Sequence, residues 1–246
     1  GAVMLQNTAA LKCTYSLLSP ATFRAKIIEN NLTGLVLLMD GFETHFRLIG
    51  KFNAYNLLAV FGVAINLGED KVNVLSHLSN LLGAKGRFET YLSAKDRVLA
   101  IVDYAHTPDA LLNVLTTIQQ LKVDDQHVIT VVGCGGNRDA DKRPLMAEVA
   151  VKYSNQVILT SDNPRFENPS TILDQMEEGI SVSKKKFMLR IEDRAAAIQT
   201  ACLLAKPNDI ILIAGKGHET YQEINGIKHP FDDAQMIVDF FKTLEK

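Results

Sequence analysis

From Arg97 onward the sequence predicts a Rossmann-like, doubly wound, mainly parallel α/β sheet, and three observations predict it. Short runs at Val98–Val102, Val128–Val132, Val157–Thr160, Phe187–Ile191 and Ile210–Ala214 are apolar along almost their whole length. That pattern suits strands covered on both faces. Stretches of helical period separate or follow them, at Pro108–Leu121, Pro144–Tyr153, Thr171–Ser181, Asp193–Ala205 and Asp232–Leu244, and strand–helix alternation implies parallel βαβ units. Glycines then cluster where two of the runs finish, Gly133, Gly135 and Gly136 after one and Gly215 and Gly217 after another. Ligands of open α/β sheets bind at such strand ends.

The preceding residues read differently. Leu11–Leu17, Thr22–Ile28, Leu35–Met39 and Thr44–Ile49 carry strand patterns and are expected to be short antiparallel strands, with Asp40-Gly41 as a hairpin turn. Residues 51–84 switch to helical period, with one helix over Asn53–Asn66, stopped by Gly68, and a second over Asp70–Leu82. Residues 83–90, GAKGRFET, read as a linker, which puts a boundary between segments 1–85 and 86–246. Tyr221–His229 carries Asn225-Gly226 between two extended arms and reads as a hairpin.

Composition narrows the classes. With 246 residues, 47% hydrophobic, the chain can bury a substantial core, and no apolar run approaches a membrane span. A formal net charge of −2 argues against nucleic acid or an anionic membrane as partner. Cys13, Cys134 and Cys202 have neither metal nor disulfide spacing, which suits a cytoplasmic location, and no metal site is expected from the residues present. The opening GAVMLQNT enters a strand-like pattern at once and reads as the start of a fragment.

The chemistry concentrates in residues 133–167. Arg138 and Arg143 follow the glycine turn, and Asp162-Asn163-Pro164-Arg165 begins where the next strand run ends. An arginine fork suits a carboxylate and an aspartate suits an ammonium, so an amino acid is the natural guest. Solvated surface arginines are the bland alternative on the chemistry alone. Gly133-Cys134-Gly135-Gly136 departs from the dinucleotide fingerprint G-x-G-x-x-G, and Gly215-Lys216-Gly217-His218-Glu219 is not a P-loop.

GNRDxxKRP, DNPR with a glutamate two residues later, DYAHTPDAL before them and GKGHE after them resemble, in that order, the motifs of the Mur ligases. The resemblance is to the MurE, diaminopimelate-adding type and runs from about Lys51 to the C-terminus. It implies that residues 1–85 are the C-terminal part of a central ATPase domain (strands plus two helices) and 86–246 a C-terminal, amino-acid-binding domain. The implied activity is ATP- and Mg²⁺-dependent amide formation between meso-diaminopimelate and UDP-MurNAc-L-Ala-D-Glu.

Residue by residue, the resemblance places Arg138, Asp162, Asn163, Pro164, Arg165, Gly215 and Glu219 on the incoming amino acid. Asp162 and Glu219 would receive an ammonium, and Arg138 and Arg165 carboxylates. Asn53 and Asn56 would face adenine, with Arg87, Asp103 and His106 toward ribose or phosphates. Outside the resemblance, Asn53 as a helix N-cap and Asp103 and His106 as capping and surface residues are the rival accounts. No catalytic residue is assigned, and no GTxGKT-like segment occurs in the sequence, so the chain alone is expected to be inactive. Remaining alternatives are a lysine-adding or other Mur ligase, a folylpolyglutamate synthase relative, or a non-catalytic amino-acid-binding module. Oligomeric state is not legible.

Overall fold

In the computed structural model, which describes residues 6–123 and 125–244, the chain divides into two units, Gly1–Gly83 and Ala84–Lys246. In the first, β1 (Tyr15–Ser16), β2 (Phe23–Asn31), β3 (Gly34–Met39) and β4 (Phe42–Phe46) form one sheet in that order. The β3–β4 turn has Asp40 and Gly41 at φ 50° and 87°, the twist that a two-residue hairpin needs. One expectation fails here: β1 pairs with β2 in parallel, Tyr15 opposite Phe23. The cause is local. Ser16 Oγ accepts from the amides of Leu18 and Ser19, which ends the strand in a side-chain turn before the chain runs forward again.

Two helices cover this sheet. Helix α1 (Lys51–Asn66) starts at the positive-φ residue Gly50, earlier than expected, so Asn53 lies inside the first turn and is not the cap. Helix α2 (Lys71–Ser79) is capped by Asp70, whose Oδ1 accepts from Asn73 N at 3.0 Å. It stops short of Leu82, with Asn80 Nδ2 turned back onto Ser76 O. Leu35, Leu37 and Met39 of β3 meet Leu57, Leu58 and Phe61 of α1 and Leu75 and Leu78 of α2 in a shared core.

The second unit is the expected doubly wound sheet. It contains β5 (Glu89–Leu92), β6 (Leu99–Asp103), α3 (Pro108–Leu121), β7 (Val128–Val132), α4 (Lys142–Tyr153), β8 (Gln156–Leu159) and α5 (Pro169–Glu177). After them come β9 (Met188–Arg190), α6 (Arg194–Leu204), β10 (Ile210–Ala214), the β11 (Tyr221–Ile224)–β12 (Ile227–Pro230) hairpin and α7 (Asp233–Thr243). Strand order is β5-β6-β10-β7-β8-β9, parallel except for β5. The antiparallel edge strand β5 takes part of the stretch read as linker. Ser93 pairs with Val98 through backbone and hydroxyl and folds β5 back onto β6.

Burial explains the continuous apolar runs. Val98, Ala100, Val102, Ile129, Val131, Ile158, Ile211 and Ile213 pack with Ala197, Ile198 and Ala201 of α6 and Ile237 and Phe241 of α7. The alternate residues Ile101, Thr130, Leu159 and Leu212 are equally buried, because alternate side chains point to opposite faces and α3, α4 and α5 pack side by side elsewhere. Asp103, Ala214, Val132 and Leu159 stand in line across the sheet. The loops that follow these four strands therefore open along a single edge.

Candidate functional site

A cavity of about 490 Å³ lies at that edge, lined by residues of all four loops. Tyr104, His106 and Thr107 come from the β6 loop, Gly133, Cys134, Gly135, Arg138, Asp139 and Lys142 from the β7 loop and α4. Asp162, Asn163 and Arg165 come from the β8 loop, and Gly215, Glu219 and Tyr221 from the β10 loop and β11.

The glycine turn and the DNPR tetrad are stitched together by backbone. Gly136 N donates to Asn163 O at 2.9 Å, Arg165 Nη1 to Gly136 O at 2.9 Å and Phe166 N to Asn137 Oδ1 at 3.1 Å. Asn137 N donates to Glu167, which also takes Arg143 Nη1 at 2.9 Å. Arg143, almost wholly buried, further reaches Gly135 O and Gln175 Oε1, which fixes the turn from beneath. The close approach requires glycine: a Cβ at Gly136 would stand 2.0 Å from Pro164 O. Pro164, expected on the ligand, is buried and serves this stitching; it does not line the cavity.

The tetrad also leans on the hairpin. Arg165 N donates to Glu223 O at 3.0 Å, Asn225 N to Arg165 O at 2.6 Å and Gln222 Nε2 to Asp162 O at 2.8 Å. Arg165 takes φ 51°, which turns its side chain's backbone anchor out of the regular strand region.

Within the cavity the charges divide into spoken-for and open groups. Lys216 Nζ, fully buried, donates to Asn163 Oδ1 at 3.0 Å and to Glu219 Oε2 at 3.1 Å, and Asn163 Nδ2 donates to the same Glu219 oxygen at 2.8 Å. Asn163 Oδ1 also accepts from Glu223 N. Asn163 and Glu219, both expected on the ligand, are thus already engaged with each other and with Lys216. The Asp162 carboxylate, by contrast, accepts no hydrogen bond from the described residues. Burial pushes its pKa above the ordinary aspartate value, opposed chiefly by Arg194 and Lys216. Arg138 is exposed and forms no ion pair with the described residues. Arg165 Nε stands 3.4 Å from Glu223 Oε2.

The groups expected to face a nucleotide divide as well. Tyr104 gathers Arg87, whose guanidinium lies 4.8 Å over its ring, and His106 and His218 at ring distances of 4.6 and 5.2 Å. Asp103 does not join them. It is buried, with Oδ2 accepting from Phe88 N at 2.7 Å and Oδ1 from Ala105 N at 2.8 Å, so it holds the loop that carries Arg87. In the other unit, Asn56 Nδ2 donates to Asn53 Oδ1 at 3.2 Å and Asn53 Nδ2 to Ile49 O, so the two share a helix face as expected.

A family model described as "Mur ligase, glutamate ligase domain" matches residues 86–217, more than half of the chain. The chain belongs to the Mur ligase family.

Among relatives of this Mur ligase chain, the UDP-N-acetylmuramoyl-L-alanyl-D-glutamate--2,6-diaminopimelate ligase of Cytophaga hutchinsonii is 57% identical over 246 residues, all of this chain and 50% of that protein. The protein of the same name from Lactiplantibacillus plantarum is 44% identical over 234 residues, 94% of this chain and 46% of its own. A solved structure of a ligase with that name covers 95% of this chain and 48% of its own at 40% identity and a TM-score of 0.70. Folylpolyglutamate synthase of Thermotoga maritima shares the fold alone, at 19% identity and a TM-score of 0.62 over 78% of this chain and 43% of its own. The chain spans about half the length of the curated relatives it matches.

Several residues at or beside the candidate site were not singled out from sequence as site groups: Tyr104, Lys142, Lys216, Tyr221, His218 and the Arg143–Glu167 pair. Lys216 and His218 stand inside GKGHE, and Glu167 follows DNPR, so the motifs contained them. Lys216 meets Asn163 and Glu167 meets Arg143 at separations of 53 and 24 residues, and no local spacing reports such a pairing.

Proposed function

We propose that this chain is the amino-acid-binding portion, with adjoining nucleotide-facing residues, of an ATP-dependent amide ligase that joins diaminopimelate to UDP-MurNAc-L-Ala-D-Glu. The observation that carries the reading is one cavity holding two arginines and a buried aspartate whose carboxylate accepts no hydrogen bond from the described residues. An amino acid with a carboxylate and an ammonium at its distal end supplies what each lacks. Asp162 receives the ammonium, and Arg138 and Arg165 receive carboxylates, through charge-assisted hydrogen bonds. Glu219 contributes through the Lys216–Asn163 network rather than as a lone acceptor.

The proposed reaction forms an amide bond. ATP, when bound, supplies the phosphoryl group that activates the D-glutamate carboxylate, and the amine displaces phosphate from the resulting acyl phosphate. The chain's own part is orientation: the distal end is clamped so that the remaining amine meets the activated carbonyl, the kind of positioning that converts binding energy into rate. Arg87, Tyr104, His106 and His218 fit a nucleotide, since a ring face with cationic neighbours suits a base or its phosphates. Magnesium belongs to the proposal as the ion that would accompany ATP; among the described residues no group of three or more His, Cys, Asp or Glu could hold a metal ion. Cytoplasmic location is part of the same proposal; no helix among the described residues is long and apolar enough to cross a membrane.

Calorimetric titration of meso-diaminopimelate, L-lysine and NAD into the chain tests the reading. Diaminopimelate should bind, lysine should bind at least about tenfold more weakly for want of the second carboxylate, and NAD should not bind at the same cavity. Equal affinity for lysine and diaminopimelate would remove the carboxylate-reading role of the arginines.

A further inference from the structure

Arg194 opens α6 and is wholly buried, with no access to the cavity described above. Its Nε and Nη2 donate to the two carboxylate oxygens of Asp233, at the start of α7, each at 2.8 Å. Nη2 also donates to Ala214 O at 3.1 Å and Nη1 to Ser161 O at 3.4 Å. Those carbonyls belong to the residues immediately before Gly215 and Asp162. Strands β10 and β8 are not neighbours, because β7 lies between them. One guanidinium therefore spans the end of β7 and ties together two strand ends that no backbone ladder joins.

The two ends must keep a tight spacing. Gly215 has φ 117°, and a Cβ there would stand 2.6 Å from Asp162 Oδ2. The charged groups facing Asp162 are Arg194 from α6, Asp233 from α7, and Lys216 and Glu219 from the loop after β10; the Cys134 thiol is also close. Lys216 is already hydrogen-bonded to Asn163 and Glu219. Asp233 holds Arg194 in a bidentate pair, which orients the planar fork toward the two carbonyls.

We propose that Arg194 is a positioning residue of the amino-acid site, a buried strut that sets the Asp162–Gly215 spacing across β7 and supplies the positive charge behind the Asp162 carboxylate. The proposal rests on the reading of this cavity as an amino-acid site. A buried Arg–Asp pair that only held α6 to α7 would affect stability and leave Asp162 unchanged. A strut and counter-charge must be felt at Asp162 itself.

The test follows the Asp162 side-chain carboxyl by NMR titration in the full chain, as wild type, Arg194→Gln and Arg194→Lys, with circular dichroism to verify folding. In Arg194→Gln the Asp162 midpoint should rise by about one pH unit or more, a tenfold change in proton affinity, and diaminopimelate should bind about tenfold more weakly or worse. Arg194→Lys keeps the charge but loses the fork, so its midpoint should stay near wild type while binding still weakens. A folded Arg194→Gln chain with an unchanged Asp162 midpoint would overturn the proposal. If that variant does not fold, Arg194→Lys decides: a shifted Gly215 amide resonance supports the strut, and an unshifted one overturns it. Absence of diaminopimelate binding to wild type would sink the functional reading instead, and the Asp162 titration and the Gly215 resonance would still judge Arg194.

Discussion

Lys216 Nζ lies 3.1 Å from Glu219 Oε2, with the lysine side chain fully buried and the glutamate 19% exposed. The pair shares Asn163 as a third member, so GKGHE and DNPR are joined through side chains, one of them charged and buried. Removing the lysine would leave a mostly buried carboxylate uncompensated next to Asp162. Lys216→Met should therefore cost about 3 kcal/mol of stability, the lower end for a broken buried pair because Glu219 keeps some solvent. Denaturant unfolding of both proteins checks this, and a loss within measurement error would mean that Glu219 is solvated independently of Lys216.

Gly215 cannot carry a side chain without moving Asp162. Its positive φ and the 2.6 Å approach of a built Cβ to Asp162 Oδ2 act together. Gly215→Ala should destabilise by about 1–3 kcal/mol from the backbone alone. It should also abolish measurable diaminopimelate binding by displacing the carboxylate. Thermal melts and calorimetry separate the two effects; a stable variant with wild-type affinity would move the ammonium site away from Asp162.

Arg165 is only partly engaged, with Nη1 on Gly136 O and Nε 3.4 Å from Glu223. Arg165→Ala should weaken diaminopimelate by about 2–5 kcal/mol, as when a charge pair loses one partner. Lysine, lacking the distal carboxylate, should lose far less. Parallel titrations with the two ligands provide the check, and equal losses for both would assign Arg165 a structural role in stitching the loops.

Asp162 predicts a pH dependence whose sign follows from burial. Desolvation raises its folded-state pKa above 3.8, so the folded chain takes up its proton at a higher pH than the unfolded chain does. Its ionisation therefore lowers stability as pH rises from that value through the folded midpoint. Ammonium binding needs the carboxylate, so diaminopimelate affinity should fall as pH drops through the same midpoint, while the ligand's own amines stay protonated. Calorimetry between about pH 8 and about pH 4 measures it, and Asp162→Asn should bind weakly and without this dependence. Flat affinity in the wild type across that range would mean that Asp162 does not receive the ammonium.

Apolar patterning and glycine placement suffice to read the winding of the second unit. Its apolar runs are continuous because both sheet faces are covered, and the glycines sit where those runs end, so Gly133, Asp162 and Gly215 could be put at one edge before any coordinates. The sequence also supplied the helix boundaries to within a few residues, since Asp70, Thr107, Asn168, Asp193 and Asp232 all accept backbone amides as N-caps. Tertiary structure alone decided which charges are free. Asp103 and Asp162 both stand where a strand run ends, yet one carboxylate is consumed by the amides of Phe88 and Ala105 and the other accepts from none of the described residues. Arg143 and Arg194 look like surface arginines of helix starts, and both are buried struts. The parallel pairing of β1, the edge strand β5 and the seating of the expected β11–β12 hairpin on DNPR were likewise invisible. The reason is the same in each case: local period and capping report which way a residue faces its own element. Partner choice at separations of 20 to 60 residues depends on how the strand ends are brought together, and no local pattern encodes that.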